Sequence, residues 1–147
     1  MEGQYLPENL KTLSIGTIHN RTYTGELDVR LKHELRRKLS RNPNLRLVGQ
    51  DRGELILDIE LTSARILRRL DVSDTDLSSL RMRLKGRMTL RRADEQARKV
   101  HQGGISVSTT LRFDTAVIET PAVRDEITND AIILFVEKVE SAIYSNF

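Results

Sequence analysis

The chain contains no cysteine, which excludes a disulfide framework, a thiol nucleophile and a cysteine-ligated metal. Aromatic residues make up 4% of its 147 positions, so leucine, isoleucine and valine have to build the core. No apolar run approaches the roughly 20 residues that a helix needs to cross a bilayer. The histidines, His19, His33 and His101, fall outside any HExxH or similarly spaced ligand motif. A P-loop, a GxGxxG turn and a GxSxG elbow are all missing. Asp71, Asp74 and Asp76 crowd one acidic loop. The central glycine and closing glutamate of a calcium loop do not stand at the required offsets, so these acids are expected to be solvated and to cap local turns. Together these absences predict a non-enzymatic protein with no metal and no cofactor. The opening Met1-Glu2-Gly3 runs directly into polar residues, without the basic and apolar segments of a secretory leader. The expectation is either a cytoplasmic protein or a soluble part trimmed of its leader.

Hydrophobic residues account for 38% of the chain and charged residues for 31%, with a net charge of +3. That is enough apolar material for one core, and too weak a basic excess for a dedicated nucleic-acid binder. One domain is expected over residues 1–147, with 1–11 as an extended lead-in because Pro7 biases Leu6 away from helix.

Hydrophobic periodicity predicts the elements. Residues 12–18 alternate as a strand, with Leu13 and Ile15 on one side and Ser14 and Gly16 on the other. His19-Asn20-Arg21-Thr22 reads as a turn. Leu27, Leu31, Leu35 and Leu39 recur every four residues and predict a helix over 25–41, with Thr24 as N-cap and Pro43 beyond its end. A short strand at 45–48 and a long one at 54–67 follow; the alternation blurs after Ser63, which suggests a bulge. Residues 71–79 form a polar loop. Residues 80–92 alternate most clearly, with Met82, Leu84, Met88 and Leu90 on one face. The last strand spans 98–113 with Ile105, Val107, Leu111 and Phe113 inward, and Gly103-Gly104 marks a bulge. Thr120-Pro121 opens a final helix whose apolar arc is Ile127, Ala131, Leu134, Phe135, Val139, Ala142 and Ile143. The expected fold is α+β: a two-layer sandwich of a mixed, mostly antiparallel sheet with two helices packed on one face, the other face open to water or a partner.

The most conspicuous local feature is a row of cations. Arg81, Arg83, Lys85, Arg87 and Arg91 share the face of their strand that points away from the core, about 6.6 Å apart. Guanidinium groups pair well with phosphates, so this row is a candidate anion-binding surface, able to grip a nucleic-acid backbone or the phosphorylated sugars of lipid A, the lipid of lipopolysaccharide. Asp58 and Glu60 point the same way on the preceding strand and can pair with part of it; the two readings are compatible. No aromatic residue is interleaved in the row, so base stacking is not expected and nucleic acid is not the predicted partner. The basic first helix and this strand keep a nucleic-acid-binding module as an alternative. Ser106, Ser108 and Thr110, small and outward, are candidates for close docking of a partner.

Several segments in order resemble the lipopolysaccharide-assembly lipoproteins of the LptE family. Tyr5, Pro7 and Leu10-Lys11-Thr12-Leu13-Ser14-Ile15 resemble that family's aromatic lead-in and first strand, and Ile18-His19-Asn20-Arg21-Thr22 its turn. Leu27 to Leu39 resemble its first helix, and Leu45 to Val48 with Glu54 to Leu61 its short and long strands. The basic strand, the hairpin, the last strand and the long C-terminal helix complete the pattern over nearly the whole chain. Three departures stand out: Ile18 in place of an aromatic, Gly53-Glu54 in place of Ala-Asp, and no lipidated cysteine before Gly3. The resemblance implies a lipoprotein on the periplasmic side of the outer membrane, held by an N-terminal lipid anchor that this sequence does not contain. It also implies that the protein partners and plugs an LptD-type β-barrel and binds lipopolysaccharide. Another envelope lipoprotein of similar fold is the neighbouring reading.

Overall fold

The computed structural model describes residues 11–49, 52–70, 77–93, 99–114 and 121–145. The chain runs β1 (Lys11–Asn20), α1 (Leu27–Leu39), β2 (Leu45–Leu47), β3 (Leu55–Leu70), β4 (Leu77–Arg92), β5 (Lys99–Asp114) and α2 (Pro121–Tyr144). The strands form one sheet in the order β2-β1-β3-β4-β5. β1 pairs in parallel with both β2 and β3. β3, β4 and β5 form a long antiparallel meander. Both helices pack on one face of the sheet, as the expected α+β arrangement requires, and share a core with the inward side chains of β1, β3, β4 and β5.

Alternation builds that core. Leu55, Leu57, Ile59 and Leu61 of β3 and Leu80, Met82, Leu84, Met88 and Leu90 of β4 are buried, as are Leu27, Leu31, Leu35 and Leu39 of α1. Gly86 continues the inward row of β4 where Phe135 of α2 presses on the sheet. A Cβ at Gly86 would lie 2.6 Å from the Glu60 carbonyl oxygen and 2.9 Å from Phe135 Cζ. The glycine makes room for the largest fully buried side chain of the core.

Two irregularities set the faces. In β1, Ile15 pairs with Leu57 and Ile18 with Ile59, so one extra residue lies between them. This bulge lets both isoleucines face inward although they are three apart. It also frees the Thr17 N–H, which donates to Asp58 Oδ1 at 2.8 Å. In β3 the register shifts between Leu61 and Ser63, the bulge expected from the blurred alternation. β1 ends at Asn20 opposite Leu61, so β3 from Thr62 onward, together with β4 and β5, extends past β1 as a three-stranded blade.

Several local expectations change. Thr24 does not cap α1: Glu26 takes that position in a left-handed conformation, φ 64°. Thr24 is instead held in a side-chain turn, its carbonyl accepting from Asn20 Nδ2 at 2.8 Å while Asn20 Oδ1 accepts from the N–H and hydroxyl of Thr22. Gly103-Gly104 is not a bulge. Gly103 pairs with Met88 and Gly104 with Arg87 in regular register, and the shift in β5 falls at Val100, between the pairs of Leu90 and Arg91. Leu134 is not in the core; it is 36% exposed, while Ile132 and Val136 take the buried positions. The face away from the helices is only partly open. Ser14 and Ile56, partners across β1 and β3, are buried on it, and Ser14 is tied to the chain that follows β2: its Oγ donates to the Gly49 carbonyl and accepts from the Gly53 N–H, both at 2.8 Å. The acidic loop with Asp71, Asp74 and Asp76, the lead-in, the hairpin turn after Ala93, the Phe113 side chain and the Thr120 cap lie outside the described residues.

Candidate functional site

The open part of the sheet is the outward face of the blade. On β4, Arg81, Arg83, Lys85 and Arg87 are exposed in a single row. Their cross-strand partners on β5 are Thr110, Ser108, Ser106 and Gly104. The small residues therefore flank the cations directly, and all of them are exposed. The structure thus brings the cation row and the candidate docking residues Ser106, Ser108 and Thr110 together on one surface. Short neighbours leave the guanidinium groups room to spread and to be reached from outside.

Two cations join this row that alternation alone did not place. Arg65 of β3 stands opposite Arg83, and Arg112 of β5 stands opposite Ser79; both are exposed. The bulge at Thr62 sets Arg65 on this face, and so a period-two reading of β3 could not find it. Arg112 was within reach, since it continues the phase of Ser106, Ser108 and Thr110.

Acids neutralise only one end of the row. Arg91 Nε donates to Asp58 Oδ2 at 2.9 Å, both side chains about a third exposed. Asp58 also holds the bulge N–H of Thr17, so Arg91 belongs to the structural support of β1 and β3. Glu60 lies directly opposite Arg87 yet pairs with Arg21 at 3.4 Å. Among the described residues, Arg65, Arg81, Arg83, Lys85 and Arg87 have no ion-pair partner. Like charges directly opposite each other across two strands are destabilising, and Arg65 and Arg83 are such a pair. The chemistry such a surface offers is recognition of a polyanion. Guanidinium forks can donate to several phosphate oxygens at once, and a phosphate set between two arginines relieves their repulsion.

Among the described residues, no three His, Asp or Glu side chains converge to hold a metal ion, and no helix is long and apolar enough to cross a membrane.

The family model LptE, described as lipopolysaccharide-assembly, matches residues 10–143. Among solved structures, a minor lipoprotein from Acinetobacter baumannii is similar, with a TM-score of 0.58 and 17% identity over 92% of each chain. PelC from Paraburkholderia phytofirmans, a dodecamer, gives 0.52 at 12% identity, covering 89% of this chain and 86% of that one. Rare lipoprotein B from Shewanella oneidensis gives 0.50 at 12% identity over 91% and 94%. At these identities the likeness to solved structures is one of fold. No curated protein gives a significant match to the sequence.

Proposed function

The chain belongs to the lipopolysaccharide-assembly LptE family, and from that premise we propose that it binds lipopolysaccharide through the cationic face of the blade. In this reading it is the periplasmic domain of an outer-membrane lipoprotein that partners and plugs an LptD-type β-barrel. The single observation that carries the binding claim is the uncompensated row. Arg81, Arg83, Lys85 and Arg87 face outward without acid partners among the described residues, and Arg65 is set against Arg83. Lipid A supplies what this row lacks, phosphate groups on a rigid sugar frame. The fold supports a scaffold role, because the helices seal one sheet face and leave the blade to meet a ligand.

The test is a triple variant, Arg83→Glu, Lys85→Glu and Arg87→Glu. These side chains are exposed, so the fold should persist by circular dichroism while binding to lipopolysaccharide micelles falls at least about tenfold, with a steep salt dependence in the wild type. Lipid A stripped of its phosphates should bind the wild type as weakly as the intact lipid binds the variant. Unchanged binding by a folded triple variant would remove the proposal. Equal or tighter binding of wild type to duplex DNA would move the reading to a nucleic-acid module. For the barrel partnership, the full-length gene product should co-purify with a large outer-membrane barrel; recovery from the cytosol alone overturns it.

A further inference from the structure

β5 is an edge strand of the sheet. Among the described residues, its outer rim is open to a degree that natural edges usually avoid. Exposed edges are commonly blunted by charged side chains, proline or a bulge. The stretch Ser106-Val107-Ser108-Thr109-Thr110 contains no charge and no proline, and the register shift of β5 lies away at Val100. One group reaches this rim among the described residues: Lys138 Nζ of α2 donates to the Ser106 carbonyl at 3.1 Å. That contact shows which way the backbone points. In an antiparallel ladder the N–H and C=O of one residue point to the same side and alternate from residue to residue. Ser106 points out of the sheet, so Gly104, Ser108, Thr110 and Arg112 do as well.

The surroundings of the rim specify what would fit. On the outward face, an added strand would lie about 10 Å from β4, two strand spacings away, with only the small side chains of Ser106, Ser108 and Thr110 between. Arg81, Arg83 and Lys85 are long enough to reach across them. On the helix side, the flank of α2 that carries Lys138 also carries Leu134 one turn earlier, 36% exposed. An occupant that alternates acidic and apolar residues would answer both sides. A second copy of this chain does not: pairing β5 with β5 would bring two cation rows within about 14 Å of each other.

We propose that the rim of β5 from Gly104 to Arg112 accepts an extended polypeptide segment as an additional strand, its acidic side chains on the cationic face and its apolar side chains under Leu134. This inference does not rest on lipopolysaccharide binding, and its probe carries neither lipid nor phosphate.

The probe is an eight-residue capped peptide alternating valine and glutamate, titrated into isotope-labelled protein and followed by amide chemical shifts. Saturable shifts are expected at Gly104, Ser106, Ser108 and Thr110. A valine–lysine peptide should bind at least about tenfold more weakly. So should a valine–glutamate peptide N-methylated at every amide, which keeps its charge but loses its donors. Ser108→Pro removes an outward N–H without touching the ladder to β4, and should lose binding to the same extent. No saturable binding up to about 1 mM overturns the proposal. It is equally overturned by equal binding of the N-methylated peptide, or by undiminished binding to folded Ser108→Pro. If Ser108→Pro does not fold, the N-methylated peptide decides alone. A concentration-dependent dimer in sedimentation that Ser108→Pro abolishes would assign the rim to a second copy and also overturn the proposal.

Discussion

Arg65 and Arg83 stand directly opposite each other across β3 and β4, both exposed, and neither has an acid partner among the described residues. Their opposition raises the free energy of the folded chain and lowers that of any complex that places an anion between them. Arg83→Thr, which keeps β-propensity and removes one charge, should therefore raise the stability of the isolated protein by about 0.2–1 kcal/mol while weakening lipopolysaccharide binding. Urea unfolding at low salt checks the first half and a binding titration the second. A variant that loses stability would show that Arg83 is held by contacts other than those described. The gain should shrink as salt is added, because screening already relieves the repulsion in the wild type.

Asp58 performs two tasks, holding the bulge N–H of Thr17 and the guanidinium of Arg91. Asp58→Ala should cost about 1–2 kcal/mol, at the lower end for charge-assisted bonds because both side chains are a third exposed. Asp58→Asn keeps an acceptor for Thr17 and should lose about half as much. Loss of protection at the Thr17 amide in hydrogen exchange would tie the effect to the bulge. The side chain also lies over Gly16, where a Cβ would approach Asp58 Oδ1 to 2.3 Å; Gly16→Ala is therefore expected to disturb the same bond.

Gly86→Ala should destabilise by about 1–3 kcal/mol, since the new methyl meets both the Glu60 carbonyl and the Phe135 ring. Adding Phe135→Leu relieves the ring contact but not the backbone contact. The double variant should be less destabilised than the sum of the two single ones, a coupling that denaturant curves on all four proteins can measure.

Glu34 accepts from the Arg37 guanidinium one turn along α1, and that hydrogen bond holds its carboxyl below the ordinary value of 4.5. A carboxyl whose folded value is depressed adds stability above its unfolded value and loses it as the pH falls through the folded one. The contribution should thus be complete near neutrality and be lost only in acid, as the pH falls past the ordinary value and through the lower folded one. Glu34→Gln should cost under about 1 kcal/mol at pH 7, and the thermal unfolding curves of variant and wild type should converge in acid.

The faces of β3 and β4 were legible in the sequence because each strand alternates apolar and charged residues over many positions, and the four leucines of α1 named its buried stripe. What was not legible depends on contacts between distant segments. The parallel pairing that sets β1 between β2 and β3 joins residues about 40 apart, and no local pattern announces it. The start of α1 escaped because Asn20 claims the turn that holds Thr24. Leu134 misled because a helix laid across a sheet buries a narrower arc than its apolar residues span. Within the candidate surface, the β4 cations and the β5 hydroxyls were readable from period two, whereas Arg65 was concealed by the bulge at Thr62. The split of the acids was also hidden: Asp58 pairs with the row, but Glu60 turns to Arg21 across the end of β1.

Past the end of β1, the blade has one side packed against α2 and another whose described residues are largely exposed. Selection can act on these two sides separately. Inward positions such as Met82, Leu84 and Val107 are tied to the packing of the whole core, and changing one requires a compensating change nearby. Outward positions such as Arg81, Lys85 and Ser108 can be exchanged one at a time at little cost to folding. A lineage could therefore shift the number and spacing of cations to follow changes in the anions it meets, with the frame beneath left as it is.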